Sequence, residues 1–237
     1  MQTTLGDDPG DFPNAVSSGE FIEPLSPDAL SEFESLKAYF SCPANSVLFA
    51  EDQPPTNVLL LLAGKVKLLM NSTAGKRLIL GIANPGETLG LASVLSGSHY
   101  NITAETLHPC TLASICRADF LEFLARHPAA YSNVARELCV DCARACEQVR
   151  ALGLAQSAPA RLARLLLAWS DDGQETTRGT RLFCSLTHGE IGECIGASRE
   201  TVTRILSDFR FREVLESRGS AFIISNRSAL EAYAGIA

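Results

Sequence analysis

The sequence predicts an α+β fold: an N-terminal β-roll, a long helix and a C-terminal winged helix-turn-helix. Three observations carry this. Residues 46–115 break into short apolar runs separated by turn residues, as in a compact roll or sandwich. A long helical stretch follows, with small and thiol side chains spaced four and three apart. Residues 187–206 then read as two short helices joined by a tight turn, with a hairpin after them.

Taken in order, residues 1–24 are rich in Asp, Gly, Pro and Ser and are expected to be a flexible tail. Residues 25–127 are expected to form the roll domain. Ser26-Pro27-Asp28 opens a helix read as running to about Tyr39. Strands are expected at Val47–Phe49, Asn57–Leu62, Val66–Met70, Leu78–Ile82, Ile102–Glu105 and Thr111–Ile115. Ala63-Gly64-Lys65, Thr73-Ala74-Gly75-Lys76 and Asn84-Pro85-Gly86-Glu87 punctuate them.

Helical sequence resumes at Arg117, is broken at His127-Pro128, and continues through residues 128–155. There Ala135, Cys139, Cys142, Cys146, Val149 and Gly153 fall on one a/d seam, the pattern of a helix lying along a partner. With one long helix in the chain, the natural partner is its own copy, giving a homodimer. Residues 156–237 form the last domain, with a helix at Ala160–Trp169 and a polar loop at Asp171–Thr180.

In the helix pair, Thr187 and Glu190 make a capping box. Gly196-Ala197 supplies the turn and Ser198 the next N-cap. Val202, Ile205, Leu206 and Phe209 form a buried stripe, which leaves Arg199, Glu200, Thr203 and Arg204 outward. A helix entering the major groove reads bases with such residues: arginine is bidentate to guanine, and glutamate accepts from cytosine. Arg199, Glu200 and Arg204 are therefore expected to read bases. Thr187, Ser198, Thr201, Thr203 and the wing residue Arg218 are expected at phosphates of double-stranded DNA.

Net charge is −7, which looks wrong for a DNA binder until it is divided along the chain. Residues 1–155 hold 17 carboxylates against 10 cations, whereas residues 156–237 hold 10 of each, every cation an arginine. A neutral DNA-binding domain predicts modest non-specific affinity, so specific contacts must contribute more. No apolar run has transmembrane length, and the N-terminus lacks the regions of a signal peptide, so a cytoplasmic protein with no membrane partner is expected. The eight cysteines then read as thiols, ligands or core residues rather than a disulfide framework.

This architecture resembles the bacterial Crp/Fnr family, named for the cyclic-AMP receptor protein and the fumarate–nitrate reduction regulator. The resemblance covers residues 25–237 and is most specific at Leu186–Gly192 and Ala197–Arg204. It implies a non-enzymatic transcription regulator that binds a palindrome with TGTGA-like half-sites and acts on RNA polymerase. Cyclic-nucleotide binders of the family use a Gly-Glu in the roll and an Arg-Ser further on. Aligned by its glycines, Gly86–Ser93 has Leu91 at the glutamate position, and no arginine lies between Arg77 and Arg117. Glu87 belongs to the preceding turn. A cyclic phosphate buried without a cation is costly, which disfavours cyclic AMP. The iron–sulfur branch uses an N-terminal cysteine group, but no cysteine precedes Cys42, and Ala113 stands where its roll cysteine is expected.

Cys139, Cys142 and Cys146 leave three readings open: small buried hydrophobes, an iron–sulfur cluster or other thiophilic metal, and thiol oxidation. Cys139 and Cys142 also spell the C-x-x-C of a dithiol oxidoreductase, though not at a helix N-terminus. His108-Pro109-Cys110 reads as a turn before it reads as a haem ligand pair.

Overall fold

The computed structural model describes residues 25–73, 75–153, 157–171, 173–218 and 221–236. The expected tail at 1–24 lies outside them. The chain divides into two compact units, residues 1–144 and 145–237.

The first unit opens with helix α1 (Pro27–Ser35), capped by the Ser26 hydroxyl. Eight strands follow: β1 (Ala38–Cys42), β2 (Val47–Phe49), β3 (Asn57–Ala63), β4 (Val66–Asn71), β5 (Arg77–Ala83), β6 (Thr88–Leu89), β7 (Thr103–Thr106) and β8 (Cys110–Cys116). They form two four-stranded antiparallel sheets, ordered β1-β8-β3-β6 and β2-β7-β4-β5. A short helix, α2 (Leu91–Ser96), follows β6; α3 (Arg117–Arg126) and α4 (Ala130–Gly153) follow β8.

The Val58–Leu61 run is apolar throughout because β3 is covered on both faces. Leu59 and Leu61 join the core with Phe49, Leu89, Tyr100 and Leu112. Val58 and Leu60 point the other way, into a second core with Phe33, Phe120, Phe123 and Val134 from the helices. The first helix is shorter than expected. It ends at Ser35, and Tyr39 lies in β1 opposite Ala113 of β8, because the sheet pairing of an aromatic residue outweighs one more helical turn.

In the second unit α5 (Ala158–Ser170) lies against α8 (Arg227–Ala234) and against α6 (His188–Ile195). α7 (Arg199–Phe211) follows α6 across the Gly196 turn, where φ is +63°. A four-stranded sheet, ordered β11-β12-β10-β9, holds β9 (Gln174–Thr176), β10 (Gly179–Phe183), β11 (Leu215–Arg218) and β12 (Ala221–Ile224). Half of the polar loop expected at Asp171–Thr180 is thus sheet, its edge strand β9 held by pairing with β10. The sequence sets the hairpin turn at 216–220, between Val214-Leu215 and Phe222-Ile223-Ile224; instead Glu216, Ser217 and Arg218 pair within β11. Among the described residues no helix is long and apolar enough to cross a membrane.

Candidate DNA interface and sensor cleft

The α6–α7 pair is fixed by local chemistry. The Thr187 amide donates to Glu190 Oε2 (2.9 Å), and the Glu190 amide donates to Thr187 Oγ1 (3.2 Å), closing both halves of the capping box. The Ser198 hydroxyl accepts from the Thr201 amide at 3.2 Å, starting α7. Val202, Ile205, Leu206 and Phe209 are buried, while Ser198, Arg199, Glu200, Thr203 and Arg204 are exposed. Hydrogen bonds from its own backbone amide and then the Ser198 hydroxyl hold the Glu200 carboxyl below the usual range. It therefore stays an ionised acceptor.

Most hydroxyls expected at phosphates are already engaged. Thr187 Oγ1 donates to Glu190 Oε2 (3.0 Å), and Thr203 Oγ1 donates to the Arg199 carbonyl (2.9 Å). Ser198 and Thr201 share a hydroxyl contact at 3.2 Å. His188, which the sequence reading passed over, sets its Nδ1 2.9 Å from Thr203 Oγ1 and joins α6 to the exposed face of α7. Its position at the first residue of α6, fifteen residues before Thr203, gave no periodic signal. Arg218 ends β11; its side chain lies outside the described residues.

Carbonyls at the end of α6 find side-chain donors, as helix ends require. Arg161 Nε donates to the Ile195 carbonyl (2.7 Å), and Gln148 Nε2 donates to the Cys194 carbonyl (3.3 Å). Gln148 belongs to the last turns of α4, so that tail is attached to the helix pair. Close approach also explains Gly192, where a Cβ would lie 2.5 Å from the Ala197 carbonyl oxygen. Gly192→Ala is expected to cost about 1–3 kcal/mol by overpacking. Denaturant unfolding of the full chain measures it; an unchanged midpoint would show that the turn yields freely.

In the first unit the Pro85–Thr88 turn and α4 enclose a cleft of about 340 Å³, lined by Glu87, Asn133, Arg136, Glu137, Asp141 and Arg144 among others. Leu91, at the aligned glutamate position, is 2% exposed and belongs to the core, where it offers a sugar hydroxyl no acceptor. Glu87 sits in the turn, its amide donating to the Asn84 carbonyl (3.1 Å), and its carboxylate pairs with Arg144 at 2.7 Å. The roll itself supplies no arginine, but α4 brings Arg136 and Arg144 to the cleft, which counting along the roll could not reveal.

Glu137 Oε1 accepts from the Thr88 amide (3.0 Å). Its carboxyl is pushed above the usual range, mainly by burial, and Asp141 is pushed the same way by the same cause. A raised folded-state pKa means that the folded form holds the proton more tightly. Stability from Glu137 is therefore greatest below the ordinary carboxylate range and falls as pH rises through the raised value. Glu137→Gln is expected to flatten that part of the pH–stability curve in urea titrations, and a parallel curve would refute the assignment.

All six predicted seam residues, Ala135, Cys139, Cys142, Cys146, Val149 and Gly153, are exposed on the single chain, Val149 at 71%. The three cysteines are thus not core hydrophobes of one chain. Cys184 and Cys194 are buried, and burial pushes Cys194 to about 12. Cys110 is buried too, its thiol donating to the carbonyls of His108 (3.2 Å) and Lys65 (3.4 Å), within the turn expected there. Cys139 and Cys142 lie in mid-helix, away from any helix N-terminus.

A β-roll with a cleft against a long helix, joined to a winged helix-turn-helix, defines the class of ligand-responsive DNA-binding regulators. The cyclic nucleotide-binding domain family matches residues 39–127, and the Crp-like helix-turn-helix domain family matches residues 160–233. The chain belongs to the Crp/Fnr family of transcription regulators, a non-enzymatic, DNA-binding family. The CRP-like cAMP-activated global transcriptional regulator of Mycobacterium tuberculosis is 26% identical over 207 residues, covering 87% of this chain and 92% of that protein. The transcriptional activatory protein AadR of Rhodopseudomonas palustris is 29% identical over 182 residues, or 76% of this chain and 74% of AadR. Among solved structures, FixK2 from Bradyrhizobium japonicum gives a TM-score of 0.73 at 21% identity, covering 83% of this chain and 96% of that one. The c-di-GMP responsive regulator CLP of Xanthomonas campestris gives 0.74 at 18% identity, covering 85% and 100%.

Proposed function

We propose that this protein is a cytoplasmic, homodimeric regulator that reads a palindrome with TGTGA-like half-sites and acts on RNA polymerase in response to an effector other than cyclic AMP. The observation that carries the DNA reading is the outward face of α7, with exposed Arg199, Glu200 and Arg204 on a helix capped at Ser198. The two arginines suit guanine, and ionised Glu200 suits a cytosine amino group. Thr187, Ser198, Thr201, Thr203 and Arg218 take phosphates, the engaged hydroxyls exchanging partners on binding. Dimerisation through the α4 seam is supported by its heptad spacing and its exposed small residues, and family members of this kind are typically dimeric.

Residues 25–127 act as the sensor, 128–155 as the dimer helix and 156–237 as the reader. The effector reading rests on buried Leu91 and on Arg144, which is already paired with Glu87 in the cleft. Selection from random duplexes with the full chain tests the DNA reading: a two-fold-symmetric consensus with TGTGA-like half-sites is expected, and an asymmetric or unenriched pool would refute it. Thermal stabilisation across a metabolite panel tests the effector, and strong stabilisation by cyclic AMP would overturn that part.

A second reading, an iron–sulfur or redox sensor on Cys139, Cys142 and Cys146, is favoured by the exposure of all three thiols on one helical face.

A further inference from the structure

The thiols of α4 are the chemistry that the DNA reading does not use. Cys139, Cys142 and Cys146 occupy successive a, d and a positions, and all three are exposed on the single chain. No Asp, Glu, Lys or Arg occupies any of the six seam positions. Among the described residues no group of three His, Cys, Asp or Glu within one chain is arranged to hold a metal ion. A closed metal site on these thiols would therefore draw ligands from a second helix.

A second copy supplies what is missing. Helical neighbours three or four residues apart have Cβ atoms about 5–6 Å apart, so Cys139 with Cys142, or Cys142 with Cys146, can converge on one ion. Packed helices run about 8–10 Å between axes, which brings the same pair on a parallel copy to the opposite side of that ion. The copies must run parallel, because both C-terminal reader domains have to face one duplex. Two thiolates from each helix give four sulfur ligands, the closed tetrahedral set that zinc takes in structural sites at about 2.3 Å.

We propose that the α4 seam, in the dimer of the preceding section on which this rests, holds one thiophilic divalent cation of the zinc class between two copies of the chain, with Cys142 as the ligand common to either pairing. The step is a ligand exchange with no electron transfer. Four S–H bonds break, four sulfur–metal bonds form, and four protons pass to solvent, so binding weakens as pH falls. Bound metal ties the two α4 helices together midway along their length.

The test uses the full chain purified anaerobically and freed of metal. Sedimentation establishes its association state. Zinc is then added at one equivalent per two chains, and accessible thiols are alkylated with a maleimide and mapped by mass spectrometry. Cys142 and one neighbour are expected to become protected, while exposed Cys116, off the seam, alkylates in both states. Cadmium in place of zinc should give a thiolate-to-metal charge-transfer band that saturates at one ion per two chains. Cys142→Ser should abolish both signals, and only one of Cys139→Ser and Cys146→Ser should do so. A chain that stays monomeric both without and with zinc would overturn the dimer and the site together. A dimer whose seam thiols alkylate equally with and without zinc would overturn the site alone. Saturation at one ion per chain, undisturbed in Cys142→Ser, would place the metal on other thiols and overturn it. So would an iron–sulfide chromophore on these residues.

Discussion

Glu105→Ala is expected to destabilise the β-roll by about 3–5 kcal/mol, the usual cost of breaking a buried ion pair from one side. Lys67 Nζ lies 2.6 Å from Glu105 Oε1, and Arg77 Nη2 lies 3.3 Å from Oε2. Lys67 is 3% exposed, and the sheet sets it directly opposite Glu105 across β4 and β7. Removing the carboxylate leaves a buried ammonium without its closest counter-charge. Replacing both members by apolar residues of similar size, Lys67→Met with Glu105→Leu, is expected to recover most of the loss. Urea unfolding of the single and the double variant decides the matter. A single-variant loss below about 1 kcal/mol would show that the pair behaves as a solvated surface bridge.

Arg199→Ala is expected to weaken binding to the selected palindrome by about 1–3 kcal/mol per half-site while leaving random duplex affinity nearly unchanged. Arg199 is the first residue of α7, exposed and clear of the buried stripe, so the variant should fold normally. Equal loss on both duplexes would assign Arg199 to a phosphate instead. Arg204→Ala should behave in the same way at a different base position, and the half-site position that relaxes in each variant gives the register of the helix. Because the reader domain is electrically neutral, the salt slope of the wild-type protein should be shallow for its affinity.

Much of this fold could be read from the chain because strong local rules coincide there. The Val58–Leu61 run announces a strand covered on both faces, and the Thr187–Glu190 box with Gly196 and Ser198 marks the helix pair to the residue. Elements without an apolar period were missed. β9 is Gln-Glu-Thr, exposed at every residue, and exists because β10 offers it hydrogen bonds. α8 carries a readable Asn226 cap, but only Leu230 and Ala234 are buried along it, too few to show a stripe. At the site, the exposed face of α7 was legible, whereas the cleft was not. Glu137 and Arg144 come from α4, and Glu87 and Thr88 from a turn some fifty residues earlier, a pairing that only folding discloses.

The donors on the end of α6 have a mechanical consequence. Gln148 and Arg161 fasten the tail of α4 and the start of α5 to the helix pair at adjacent carbonyls, Cys194 and Ile195, one residue short of the Gly196 turn. A roll of the α4 tail about its own axis is therefore geared directly into α6 and, through His188 and Thr203, onto the face of α7. The last turns of α4 and the exposed face of α7 are thus linked through α6 by specific hydrogen bonds, not by chain connectivity alone.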